Sequence, residues 1–157
     1  MEKYTSRKDV PEKYKWDLTP FFKNEEEFEE KFNQATKDVD SLKEFAGCTK
    51  DANKLYEFLA KDINTAALVE NIYVYSYLIN DQELGVSSSI ERKNKAESLM
   101  NKYMINTSFF SPELLKLSEE EYNKLFVDNE SLNEFKSGFV GVQQKEIYLL
   151  HQNQIKI

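Results

Sequence analysis

The chain has 157 residues, enough for one domain with a real core, and with 40% hydrophobic and 13% aromatic residues it is not disordered. Its 28 Asp and Glu outnumber 21 Lys and Arg for a formal charge of −7, a sign that phosphate backbones repel, which argues against a nucleic-acid partner. Four Gly and three Pro are too few for the frequent turns of a sandwich or barrel and point to long helices. No run of about 20 apolar residues is present, and the polar, charged N-terminus has no apolar signal core. A cytoplasmic protein without membrane contact is therefore expected. Cys48 is alone, so no internal disulfide can form, and behind Gly47 it reads as a structural thiol in an inter-helix turn.

Residues 1–22 read as an extended arm, because Pro11 and Pro20 each push the preceding residue toward β or polyproline geometry. The arm still carries Val10, Tyr14, Trp16, Leu18, Phe21 and Phe22, so it is expected to lie on something apolar. Residues 23–157 then read as an all-α bundle of five to six helices. The first opens at Asn24, a capping residue with Glu27 in the capping-box position, and Glu25 to Glu27 complement the helix dipole. Its stripe of Phe28, Phe32, Ala35, Val39, Leu42 and Phe45 is the cleanest amphipathic pattern in the chain, and Gly47 ends it.

The second helix, from an Asp51 cap to about Asn80, organises the rest. Leu55, Leu59, Ile63 and Ala66 start one stripe, and from Ala67 to Ile79 apolar residues wrap most of the circumference, as in a buried helix. The alternation Tyr73, Tyr75, Tyr77 also suits a strand. A strand needs a partner, and no other run alternates convincingly, so a helix of roughly 45 Å is expected at about 1.5 Å per residue. Glu70 and Asn71 interrupt its apolar part and must reach solvent or a hydrogen-bond partner.

Turn chemistry from Asn80 to Gly85 leads to a third helix, from Ser87, Ser88 or Ser89 to about Thr107, with Ile90, Ala96, Leu99, Met100, Tyr103 and Met104 inward. A corner at Ser111-Pro112-Glu113 restarts the helix with Ser as cap and Pro in the first position. Ser118 and Glu121 form a second capping box, and a last helix is expected from Ser131, with Gly138 and Gly141 marking a break or a close helix crossing. The chain ends on Ile-Lys-Ile after an apolar run through Tyr148, Leu149 and Leu150, which reads as a cut from something longer.

Little catalytic chemistry is legible. A catalytic zinc needs three protein ligands, and a serine or cysteine triad needs a His to relay protons; the chain has one His, His151, near its C-terminus. The acidic runs Glu25 to Glu27 and Glu119 to Glu121 sit in first helical turns, where the dipole explains them. No Gly-rich phosphate loop occurs. No cofactor is expected in this chain.

The arm Arg7-Lys8-Asp9-Val10-Pro11-Glu12-Lys13-Tyr14-Lys15-Trp16-Asp17-Leu18-Thr19-Pro20-Phe21-Phe22 closely resembles the opening of oligoendopeptidase F, a bacterial zinc metallopeptidase of the thimet-oligopeptidase superfamily. Tyr73-Val74-Tyr75-Ser76-Tyr77-Leu78, and Phe109-Phe110-Ser111-Pro112-Glu113-Leu114-Leu115 running into Leu117-Ser118-Glu119-Glu120-Glu121, look like the same family. The order and spacing agree from about residue 7 to residue 126.

The resemblance implies an all-helical N-terminal lobe that walls a deep cleft and limits substrates to short, unstructured peptides. The family's His-Glu-x-x-His signature lies far C-terminal to such a region and is absent here, so no catalytic or zinc residue carries over. Zinc belongs to the parent enzyme and the missing catalytic domain is the partner. Trp16, Asp17, Tyr73, Tyr75 and Tyr77 are the candidates for substrate-cleft or domain-docking contacts. The alternative is a stand-alone helical module that binds a peptide or partner helix in a Tyr-lined groove. A free lobe would also expose an apolar patch open to self-association.

Overall fold

The computed structural model describes residues 9–82 and 84–138. Among them the fold is all-α, with five α-helices and no strand: α1 (Glu25–Leu42), α2 (Ala52–Gln82), α3 (Ser87–Thr107), α4 (Phe110–Leu115) and α5 (Glu119–Asp128). The start of the arm through Lys8, Glu83, and the C-terminal features Gly141, Tyr148 to Leu150 and His151 lie outside the described residues.

Capping sets most of the boundaries. Asn24 Oδ1 accepts from the Glu27 N–H at 2.9 Å, but Glu27 returns its carboxylate to the Lys23 N–H at 2.8 Å, one residue earlier than a standard capping box. Asp51 Oδ1 accepts from the backbone N–H groups of Asn53 and Lys54 at 2.9 and 3.1 Å and opens α2. At α5 the box is complete: Ser118 Oγ accepts from the Glu121 N–H while the Glu121 carboxylate accepts from the Ser118 N–H. Gly47 and Gly85 take φ of +86° and +84° in the turns before α2 and α3, a region that favours glycine.

Three boundaries differ from expectation. After Leu42 the first helix tightens into a 3-10 turn over Lys43–Phe45 before Gly47. The fourth helix begins at Phe110 without a side-chain cap, so Ser111 does not cap it and Pro112 takes the third helical position. Proline is tolerated there because first-turn N–H groups have no intrahelical acceptor. Asn129 outcompetes Ser131 as the last cap: its Oδ1 accepts from the Ser131 N–H at 3.0 Å and leads into a 3-10 segment, Glu130–Phe135, with α-helical residues following over 136–138 among the described residues. Among the described residues nothing lies within 4 Å of where a Cβ at Gly138 would sit.

The described residues form two compact units, one of residues 9–40 with 64–105, the other of residues 41–63 with 106–138. In the first, Phe28, Ala35 and Val39 of α1, Val69, Ile72 and Tyr75 of α2, and Ala96 and Leu99 of α3 share one core with Phe22 of the arm. Leu18 and Phe21 pack against it, so the arm does lie on an apolar surface, whereas Tyr14 and Trp16 stay exposed. A 3-10 turn over Glu12–Tyr14 breaks the extended path expected for the arm. Ion pairs Arg92–Glu25 and Lys102–Asp40 join α3 to α1.

In the second unit Phe58 is fully buried, with ring centroids 5.8 Å from Phe45, 5.3 Å from Phe109 and 5.0 Å from Phe110. Glu113 clamps the Gly47 turn, accepting from the Gly47 N–H at 2.9 Å and from the Thr49 hydroxyl at 3.4 Å. Cys48 is buried beside it, and burial first, then the Glu113 charge, pushes its thiol up to about 12.

The buried face of α2 corrects the expected stripe. It runs Leu55, Phe58, Leu59, Thr65, Val69, Ile72, Tyr75 and Ser76, while Ile63 is 55% exposed. Two small polar residues, Thr65 and Ser76, are buried on this face, and the Ser76 hydroxyl donates to the Ile72 carbonyl at 2.7 Å. Glu70 and Asn71 are exposed, so the interrupted part of the helix is its wet edge. Ile90 and Met104 of α3 are likewise outward, and Ser89 is buried where Ile90 was expected.

Phe58→Ala should cost about 3–5 kcal/mol in denaturant unfolding, whereas Ile63→Ala should stay within about 0.5 kcal/mol. Hydrogen bonds from the Lys54 and then the Asn53 backbone hold the Asp51 carboxyl below its ordinary value, and the Ser118 backbone and then side chain do the same for Glu121. A value depressed in the folded state means stability that is complete above the ordinary carboxylate value and lost as pH falls through the folded one. Melting temperature should therefore hold from neutrality down to the carboxylate range and drop below it, and Asp51→Asn, which keeps a cap, should flatten that drop.

Candidate functional site

A helix turns about 100° per residue, so the two-residue spacing of the tyrosines divides them. Tyr75 faces the core; Tyr73 and Tyr77, one turn apart, share another face. The structure thus brings together Trp16, Asp17 and Tyr75, and separately Tyr73 and Tyr77.

The first group lines an open crevice of about 370 Å3 between the arm and α2, together with Leu18, Thr19, Lys23 and Asn24. Tyr75 is 8% exposed, packed edge-on to Phe22 at 5.0 Å and tilted against Phe28 at 5.4 Å. Burial raises the Tyr75 phenol, the Arg92 charge opposes that, and the Glu25 charge adds to it. The hydroxyl has no hydrogen-bond partner among the described residues. Trp16 is 58% exposed at the outer edge.

Asp17 is held by its neighbour: Oδ1 accepts from the Thr19 hydroxyl at 2.7 Å and from the Thr19 N–H at 3.0 Å. Those two bonds, the hydroxyl's first, keep the carboxyl below its ordinary value and hence ionised at neutral pH. Its Oδ2 takes no bond among the described residues. Lys15 pairs with Glu12 at 2.6 Å, whereas the Lys23 ammonium, whose backbone N–H serves the α1 cap, forms no ion pair among the described residues. The crevice therefore offers one uncommitted anion, one uncommitted cation, an indole face and a phenol.

The second group is a half-buried aromatic pair. The Tyr73 and Tyr77 rings lie 4.5 Å apart, the Tyr77 hydroxyl donates to Glu97 of α3, and the Lys93 ammonium sits 4.6 Å over the Tyr77 ring. The hydrogen bond to Glu97 first, then that to Tyr73, raises the Tyr77 phenol and keeps it protonated.

Sequence reasoning missed Lys23, Lys93 and Glu97. Lys93 and Glu97 at i,i+4 were visible as a surface ion pair, but nothing local ties Glu97 to a tyrosine 20 residues earlier. Among the described residues no three His, Cys, Asp or Glu side chains are grouped to hold a metal ion, and no helix is long and apolar enough to cross a membrane.

No protein-family model matches the chain, and no solved structure matches it. Curated relatives do. The chain is 31% identical over 150 residues to the group B oligopeptidase PepB of Streptococcus agalactiae, covering 95% of this chain and 25% of that protein. It is 29% identical over 154 residues to a plasmid-borne oligoendopeptidase F of Lactococcus lactis subsp. cremoris, and 28% over 154 to an oligoendopeptidase F homolog of Lactococcus lactis subsp. lactis. Each of these covers 97% of this chain and 26% of the relative, so the chain spans about a quarter of the length of the curated relatives it matches. Along nearly its whole length, then, the chain is a homologue of one region of the oligoendopeptidase F proteins.

Proposed function

We propose that this chain is the N-terminal helical lobe of an oligoendopeptidase F-like zinc metallopeptidase of the cytoplasm, shaping the cleft for short peptides and doing no chemistry alone. The single observation that supports this is the match of 97% of the chain to about a quarter of two proteins named for oligoendopeptidase F, beside a 95% match to an oligopeptidase. With one His in the sequence, a His-Glu-x-x-His signature has to come from elsewhere, and the zinc with it.

In this reading residues 1–22 are an arm laid on a lobe of residues 23–157. Trp16 and Asp17, backed by Tyr75, face the peptide. The Tyr73 and Tyr77 pair, braced by Lys93 and Glu97, meets the catalytic part: aromatic rings with little left to order make good anchors at an interface. A second reading, a stand-alone helical interaction module, draws on the exposed Ile90 and Met104 of α3, apolar side chains that a free chain would leave wet.

The pure chain incubated with zinc and a quenched fluorescent peptide should give no cleavage; sustained, chelator-sensitive cleavage that copurifies with it would overturn the reading. A chimaera in which this chain replaces the matching quarter of the Streptococcus agalactiae relative should cleave peptides. A chimaera that folds yet stays inactive, with the free chain a stable dimer by light scattering, would favour the module instead.

A further inference from the structure

The Ser111-Pro112-Glu113 corner is prominent in the sequence, yet neither a side-chain cap nor the peptide-facing role uses it. What it contributes is a carboxylate acting at long range. Both oxygens of Glu113 accept from the Gly47 N–H at 2.9 Å, and Oε2 accepts from the Thr49 hydroxyl at 3.4 Å.

The segment that this carboxylate grips is otherwise lightly built. Two single 3-10 turns, Lys43–Phe45 and Cys48–Lys50, flank Gly47, and neither has a side-chain cap. The bonds that close them, from the Ala46 N–H to the Lys43 carbonyl and from the Lys50 N–H to the Gly47 carbonyl, are both 3.3 Å long. That lies just beyond the usual range of about 2.7–3.2 Å. Residues 44–48 also line an open hollow of about 260 Å3 with Lys54 and Glu57. Against these weak ties, a carboxylate acceptor makes hydrogen bonds roughly twice as strong as neutral ones. Without it, the Thr49 hydroxyl, on a side chain 3% exposed, and the Gly47 N–H would both lose an acceptor. The closed turn therefore depends on α4.

We infer that Glu113 is a latch, and that residues 43–50 open as one piece when its carboxylate lets go, with α4 and α5 still folded. Segments of this kind open at a lower free energy than the whole molecule. The latch belongs to the chain itself and holds whether or not the chain is a peptidase lobe.

Amide hydrogen exchange of the full chain, followed by NMR across low urea concentrations, tests this. The Lys50 and Asp51 N–H groups bond to the Gly47 and Cys48 carbonyls rather than to Glu113, so they report the segment and not the latch bond itself. In the wild-type chain Gly47, Lys50 and Asp51 should share one protection, about tenfold or more below that of Phe58, with almost no urea dependence, whereas Phe58 should follow the slope of global unfolding. Glu113→Gln should speed exchange at Lys50 and Asp51 about tenfold, the scale of a charged hydrogen bond made neutral. Equal protection and slope at Phe58 and in the segment, or Lys50 and Asp51 rates that Glu113→Gln leaves unchanged, would overturn the assignment. The wild-type comparison needs no variant, so it decides even where Glu113→Gln fails to fold.

Discussion

The edge-on contact of Phe22 with Tyr75 is the constraint from which the candidate site follows. An arm broken by two prolines has few backbone hydrogen bonds to hold it, so its position is set by Leu18, Phe21 and Phe22 entering the core of the first unit. Phe22 meets Tyr75 at 79°, the edge-to-face geometry that aromatic quadrupoles favour, and Phe28 completes the group. With these rings seated, Trp16 and Asp17 are fixed beside α2, and the crevice exists. Arg92 extends the stack by lying over the Phe28 ring while it pairs with Glu25. The arm is thus tied to all three long helices through one aromatic cluster.

Much of this fold was legible because helix signals are local. Asn24, Asp51 and Ser118 announced their helices through side chains that reach backbone groups two or three residues away. The α1 stripe was equally plain, its Phe28, Ala35, Val39 and Leu42 all buried. What failed was facing within a helix that is apolar nearly all round. In α2 the sequence offers Ile63 or Thr65 as the inward residue, and hydrophobicity picks the isoleucine. The fold instead buries the threonine, 2% exposed, and leaves the isoleucine 55% exposed.

The site divides in the same way. Trp16 and Asp17 stood out because a Trp-Asp-Leu run has no periodic cause, and they share a crevice with Tyr75. Lys23 sits six residues past Asp17 and reads locally only as a charge before a cap. The three tyrosines look like one set when counted in twos, yet a helix sends Tyr75 to the core and the others to a rim with Glu97. Links between residues far apart in sequence, such as Glu113 to Gly47 across 66 positions, leave no local trace.

Cys48 gives the second unit an unplanned property. Its sulfur is shielded, and its proton is held so firmly that almost no thiolate forms near neutral pH. Alkylating reagents and oxidants therefore meet an inert side chain while the Gly47 turn is closed. Once that turn opens, the sulfur regains ordinary nucleophilicity, so its rate of modification counts openings of the segment that Glu113 fastens. The lone thiol is a natural gauge of how often this half of the molecule breathes.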